Sequence, residues 1–335
     1  MNAKKYLAPL ILLATILACR AGADRPETAS PAPTVERSEA TASATLVPTL
    51  APTQANPFVT PAPIVATPGE VLRDAVYCTM DSVPLGMDMY FPAAGSGPWP
   101  VLLYVHGGGW NSGDKSEILG LRDLPELTGA GYVVASIDYR LSPDYLFPAM
   151  IEDVKCAVRF LRAHAAEYNL DPERVGAWGT SAGGHLAALL GLSDASAGWD
   201  VGEWLDQSSR IQAVIDLSGP SDLSQAIALP NVLEILLGTS TPSASQLAMV
   251  SPVTYVSSDD PPFFIIHGER DWMVPVEQSI RLDALLDAAG VPSQLLIVKN
   301  AGHGLVPMGQ PTQPSTAEIV ERMIAFLDAV LKPAE

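Results

Sequence analysis

Cysteine is scarce here. Three in 335 residues cannot staple a small disulfide-rich fold, so stability has to come from an apolar core. Positive charge is also short: 19 Lys and Arg face 37 Asp and Glu, a formal charge of −18, the wrong sign for a chain that would bind by neutralising phosphates. No nucleic-acid partner is expected. There are five histidines and none shows a metal-type spacing such as H-E-x-x-H; neither a metal nor an organic cofactor is implied. No apolar run reaches the ~20 residues a transmembrane helix needs. With 48% apolar residues, however, a wholly disordered chain is excluded.

Proline is plentiful, at 30 residues, and unevenly placed. At the start, Lys4 and Lys5 precede a 13-residue apolar run, Tyr6 to Ala18, with the proportions of a secretory signal. It ends in Ile16-Leu17-Ala18-Cys19, which resembles a bacterial lipobox and makes Cys19 the expected lipid-attachment residue. Residues 19–69 then hold nine prolines, and Pro, Ala, Thr and Ser fill 31 of the 51 positions. Such a stretch cannot bury enough surface to offset its ordering entropy and reads as a tether. The expected organisation is therefore signal peptide at 1–18, tether at 19–69 and one folded domain at 70–335, exported and held by lipid to the outer face of a membrane.

In the domain, apolar runs at 101–105, 132–137, 175–178, 211–217, 262–266 and 294–298 read as buried strands, with two more near 71–80 and 85–91. Ile151, Val154, Val158, Leu161, Ala165 and Tyr168 recur at helical spacing, as do Ile319, Met323, Phe326 and Val330. Alternating strands and helices predict an α/β fold whose mainly parallel central sheet carries helices on both faces, with function in the loops after the strands.

Three such loops carry chemistry. Gly179-Thr180-Ser181-Ala182-Gly183 is G-x-S-x-G between a strand and an apolar helical stretch, the context that exposes a serine hydroxyl at a sharp turn. That hydroxyl is a weak nucleophile and needs a base, itself oriented by a carboxylate. His303, in Asn300-Ala301-Gly302-His303-Gly304, is the candidate base. His185 and His164 read as structural and helix-surface residues, and His267 as a brace for the loop after its strand. Asp271 is the favoured carboxylate, with Glu269 second and Asp216 a further rival. The third loop, His106-Gly107-Gly108-Gly109-Trp110, offers the N–H groups of Gly107 and Gly108 which, with that of Ala182, could hold an oxyanion. His106 is expected to hold this loop and Trp110 to wall the substrate pocket.

Taken together, HGGGW at 106–110, DYRLSP at 138–143, GTSAGG at 179–184, SPVTYVSSDDPPFFIIHGERD at 251–271 and AGHG at 301–304 are similar to the α/β-hydrolase fold over residues 75–332. They resemble in particular the compact esterases related to hormone-sensitive lipase and to bifunctional acetylxylan and feruloyl esterases. The resemblance implies Ser181 as nucleophile, Asp271 as acid, His303 as base, the glycine loop as oxyanion hole, and a small-molecule or saccharide ester as substrate. A peptidase or amidase of the same fold, or a non-catalytic surface-binding lipoprotein, are the alternatives. Thr180 stands where hormone-sensitive-lipase relatives commonly carry an acid, and about 30 residues before the HGGG strand leave no room for an N-terminal helical cap. Residues 192–210, with Trp199 and Trp204, and 222–250 are the segments expected to border the site instead. Cys156 reads as a small buried side chain, its pairing with Cys78 left open.

Overall fold

The structure, a computed structural model, describes residues 67–120, 123–225 and 231–332. The expected signal peptide, Cys19 and nearly all of the segment expected to be a tether lie outside the described residues. In chain order the elements are β1 (Val71–Met80), β2 (Val83–Tyr90), β3 (Trp99–Val105), α1 (Asp123–Gly129), β4 (Val133–Ile137), α2 (Ala149–Ala163), α3 (Ala165–Tyr168), β5 (Leu170–Thr180), α4 (Ala182–Leu192), β6 (Ala213–Leu217), α5 (Val232–Leu237), α6 (Ala244–Met249), β7 (Phe263–Gly268), α7 (Glu277–Ala289), β8 (Ser293–Val298) and α8 (Thr316–Leu331).

The strands form one sheet in the order β1-β2-β4-β3-β5-β6-β7-β8. β1 and β2 are an antiparallel hairpin turned at Asp81 and Ser82, both at positive φ, and β2 meets β4 antiparallel. From β4 to β8 every pairing is parallel. Val105 pairs with Gly179, Gly179 with Asp216 and Leu217 with Ile266. Gly268 likewise pairs with Val298, so the carboxyl ends of β3, β5, β6, β7 and β8 lie along one edge, where the chemistry-bearing loops emerge.

Strand alternation divides the core. Val101, Leu103 and Val105 face the side covered by α2, α4 and α7, while Leu102 and Tyr104 face the side covered by α8. Helices thus lie on both faces, as the alternation predicts. α8 starts at a capping box, Ser315 with Glu318, and buries Ile319, Met323, Phe326, Leu327 and Leu331. Each such side chain contributes roughly 1.5–3 kcal/mol on leaving water. α4 is buried on all sides, because it is the helix wedged closest against β5 and β6.

Several boundaries differ from the sequence reading. The helix expected over 151–168 breaks at His164, whose ring is half-buried beside Trp204 with centroids 4.6 Å apart rather than on an open surface. Residues 192–210 do not border the site. They pack on α2, because Lys155 and Arg159 are buried there and need a counter-charge: Asp200 lies 3.3 Å from Lys155 Nζ and 2.8 Å from Arg159 Nη1. Trp199 meets Phe147 edge-on, and Trp204 Nε1–H donates to Tyr77 O at 3.0 Å. Cys156 is not a free thiol either: it is joined to Cys78, tying α2 to β1 across a Cα–Cα distance of 6.5 Å.

Candidate active site

The turn from β5 into α4 is tight enough to force its sequence. Ser181 sits at φ 56°, ψ −117°, a conformation costly for a residue with a side chain and held by Ser181 N–H donating to Leu217 O at 2.8 Å. Gly183 packs directly under the end of β3: a Cβ there would fall 2.0 Å from Val105 O and 2.5 Å from His106 O. Only glycine fits. The serine turn and the glycine loop are consequently in backbone contact.

Ser181 Oγ lies 2.8 Å from His303 Nε2, and His303 Nδ1 lies 2.7 Å from Asp271 Oδ2. Three loops, after β5, β7 and β8, thus converge on one line of hydrogen bonds. The last two are stitched together by Arg270 N–H donating to Ala301 O at 2.8 Å. The Asp271 side chain is buried, and burial alone would raise its pKa. Hydrogen bonds from His267, His303 and the Val274 N–H outweigh that and hold the carboxyl well below the usual range. Its Oδ1 accepts from the Met273 and Val274 N–H groups at 2.9 Å each.

The rival carboxylates lie elsewhere. Glu269 is exposed, and its Oε2 accepts weakly from Asn300 N–H at 3.4 Å. Asp216 is buried behind the turn, accepting from Gly219 N–H at 2.9 Å, and burial pushes its pKa up to about 6. His267 is buried, with Nδ1 2.7 Å from Ser279 Oγ and Nε2 2.9 Å from Val274 O, so it braces the Asp271 loop. Its Nε2 is also 3.4 Å from Asp271 Oδ2, a contact that nothing local in the sequence announces. His185 is a packed residue: Nδ1 accepts from Trp110 Nε1–H at 3.2 Å and Nε2–H donates to Val250 O at 2.7 Å.

The glycine loop runs beside the serine. A Cβ at Gly107 would sit 3.1 Å from Thr180 O and 3.7 Å from Ser181 Cβ. Gly108 takes φ +92°, where a Cβ would also strike Ser112 O. Ala182 is the first residue of α4, so its N–H precedes the first intrahelical bond, from His185 N–H to Ser181 O. These groups surround a cleft of about 500 Å³. Its mouth is apolar on one side, from Val232 and Ile235 of α5 and Met273, and Tyr104, Asn111 and Glu117 face it from elsewhere. Of the segments expected to border the site, 222–250 does so through α5. Trp110 lines the cleft, although its indole is almost wholly buried. Among the described residues no group of three or more His, Cys, Asp or Glu could hold a metal ion.

Sequence and structure comparisons agree with this architecture. Residues 87–286 match the family model BD-FAE. A probable carboxylic ester hydrolase of Mycobacterium tuberculosis, LipM, is 32% identical over 69% of this chain and 55% of its own length. The chain spans about half the length of the first curated relatives it matches. Two solved structures match over somewhat more of this chain and nearly all of their own. A truncated carbohydrate esterase from gut microbiota has a TM-score of 0.68 and 28% identity over 78% of this chain and 96% of its own. Esterase 2 of Thermogutta terrifontis, bound to propionate, has a TM-score of 0.66 and 28% identity over 80% and 97%. With the parallel sheet, the sharp serine turn and a family match across well over half its length, the chain belongs to the BD-FAE family of the α/β-hydrolase fold.

Proposed function

We propose that this protein hydrolyses carboxylic esters by transient acylation of Ser181. The observation that carries the reading is the unbroken line Ser181–His303–Asp271, with links of 2.8 and 2.7 Å, opening into a largely apolar cleft. Ser181 Oγ attacks the ester carbonyl carbon while its proton passes to His303 Nε2, and Asp271 stabilises the resulting imidazolium through Nδ1–H. Negative charge gathers on the carbonyl oxygen, where the N–H groups of Gly107, Gly108 and Ala182 receive it. Each such donor is worth roughly 3 kcal/mol in the transition state. The Nε2 proton then goes to the departing alkoxide. Water, deprotonated by the same nitrogen, cleaves the acyl-enzyme, releasing the acid and restoring the serine hydroxyl.

The size of the cleft and its wall of Val232, Ile235 and Met273 suit a short acyl group, and the open mouth leaves the alcohol in solvent. Esters of saccharide hydroxyls fit that asymmetry, in keeping with the carbohydrate esterase among its structural relatives. Lipidation at Cys19 would hold the enzyme outside the cytoplasm, and the Cys78–Cys156 bond supports an oxidising compartment.

The purified protein should release 4-nitrophenol from 4-nitrophenyl acetate, and acetate from acetylated xylo-oligosaccharides, faster than it cleaves long-chain esters. Ser181→Ala should reduce turnover to background and Asp271→Asn should lower kcat by ~10³–10⁴. Activity unchanged in Ser181→Ala would overturn the reading.

A further inference from the structure

The two candidate oxyanion donors of the glycine loop belong to the peptide units His106–Gly107 and Gly107–Gly108. In a trans peptide the C=O and N–H point in opposite directions, so whatever fixes the carbonyl also aims the N–H. Both of these carbonyls meet one side chain. Tyr139 Oη lies 3.1 Å from His106 O and 3.1 Å from Gly107 O. The phenol is 4% exposed and its ring is stacked on that of His106, with centroids 4.2 Å apart and planes 12° from parallel. Burial raises the pKa of the hydroxyl, so it keeps its one proton, which it donates to these two carbonyls as a shared, three-centre bond. His106 supplies a second hold: its buried ring is kept neutral, and Nδ1–H donates to Gly107 O at 2.9 Å.

Resting on the esterase reading above, we propose that Tyr139 is a positioning residue that aims the Gly107 and Gly108 N–H groups at the developing oxyanion. It pins the two preceding carbonyls on the buried side of the loop. Tyr139 follows β4, the strand beside β3, and so reaches beneath the loop that β3 delivers. Gly108 and Gly109, both at positive φ, cannot by themselves resist rotation of these peptides, because glycine populates either hand of the backbone almost equally. Tyr139 and the stacked His106 supply the resistance that the glycines lack. Because donors are needed most once charge has moved onto oxygen, the hydroxyl acts on the transition state more than on substrate binding.

Tyr139→Phe keeps the ring and its stack while removing only the hydroxyl. It should lower kcat for 4-nitrophenyl acetate by roughly 10- to 100-fold with KM within about twofold. A trifluoromethyl ketone whose Ser181 adduct carries an oxyanion should lose inhibitory potency by the same factor. A merely structural role would move thermal stability without that matched loss. Wild-type kcat and inhibition in Tyr139→Phe, a change confined to KM, or loss of the cooperative fold would each overturn the proposal. Ser181→Ala, measured alongside, separates the two readings: if it is inactive while Tyr139→Phe is unaffected, only the role of Tyr139 fails. If Ser181→Ala stays active, the esterase reading itself fails.

Discussion

Removing the Cys78–Cys156 bond, by replacing both residues with alanine, should destabilise the domain by a calculable amount. The bond closes a loop of 78 residues. In the chain-entropy treatment such a closure removes about 15 cal/mol/K from the unfolded chain, or about 4.5 kcal/mol at 25 °C. Both residues are buried, so the lost sulfur atoms add on the order of 1 kcal/mol of packing. For a domain of this size the total corresponds to a fall in Tm of roughly 10–15 °C. Equilibrium unfolding in urea is the direct assay, with the midpoint of the double variant well below that of the wild type. Ester turnover at 25 °C should be nearly unchanged, because β1 and α2 contribute no residue to the cleft. Coincident urea midpoints would refute the argument, as would alkylation of both cysteines in unfolded, unreduced protein.

Two further outcomes are expected. Expressed in a lipoprotein-competent bacterium, the chain should incorporate labelled palmitate and fractionate with membranes, and Cys19→Ala should abolish both; label retained in that variant would exclude Cys19 as the attachment site. Burial lowers the pKa of His185 to about 4, so the folded state prefers the neutral ring. Its contribution is complete above the ordinary value of about 6.5 and is lost as pH falls toward 4, amounting to on the order of 2–3 kcal/mol at pH 4.5. His185→Gln, able to accept from Trp110 and donate to Val250, should flatten this loss. Unfolding free energies at pH 7 and pH 4.5 that fall equally in both proteins would contradict the assignment.

Features set by local backbone demands were the most legible in the sequence. Gly179 and Gly183 stand where a turn admits no side chain, and the run from Val101 to Val105 alternates between two buried faces, so strand, turn and helix could be placed from spacing alone. The order Ser181, Asp271, His303 was readable; the distances between them were not. Asp271 is favoured over Glu269 and Asp216 already by its place in the turn past a strand, and the structure adds the physical contrast: only Asp271 reaches His303, while Glu269 is exposed and Asp216 is buried behind the turn. Other contacts left no periodic trace. Tyr139 lies 32 residues from Gly107, Cys156 lies 78 from Cys78, and Trp204 lies 127 from Tyr77. The placement of 192–210 is hidden for a related reason: Lys155 and Arg159 look like ordinary helix charges in the sequence, and only their burial on α2 demands Asp200 beside them.

Of the apolar wall of the cleft, Met273 belongs to the Asp271 loop, whereas Val232 and Ile235 come from a part of the chain remote from Ser181, Asp271 and His303. Ser181, His303 and the glycine loop grow from strand ends that touch one another through backbone, so none can shift alone. Val232 and Ile235 sit on α5, a short helix outside the sheet, held by Ser142 Oγ–H donating to Ile235 O at 2.6 Å and Phe147 N–H donating to Leu236 O at 2.9 Å. For the proposed esterase, substitutions at Val232 and Ile235 would reshape the acyl side of the cleft without touching Ser181, His303 or the glycine loop. In the proposed reaction, drift in that one six-residue helix would change which acyl group is accepted and leave the path of the proton in place.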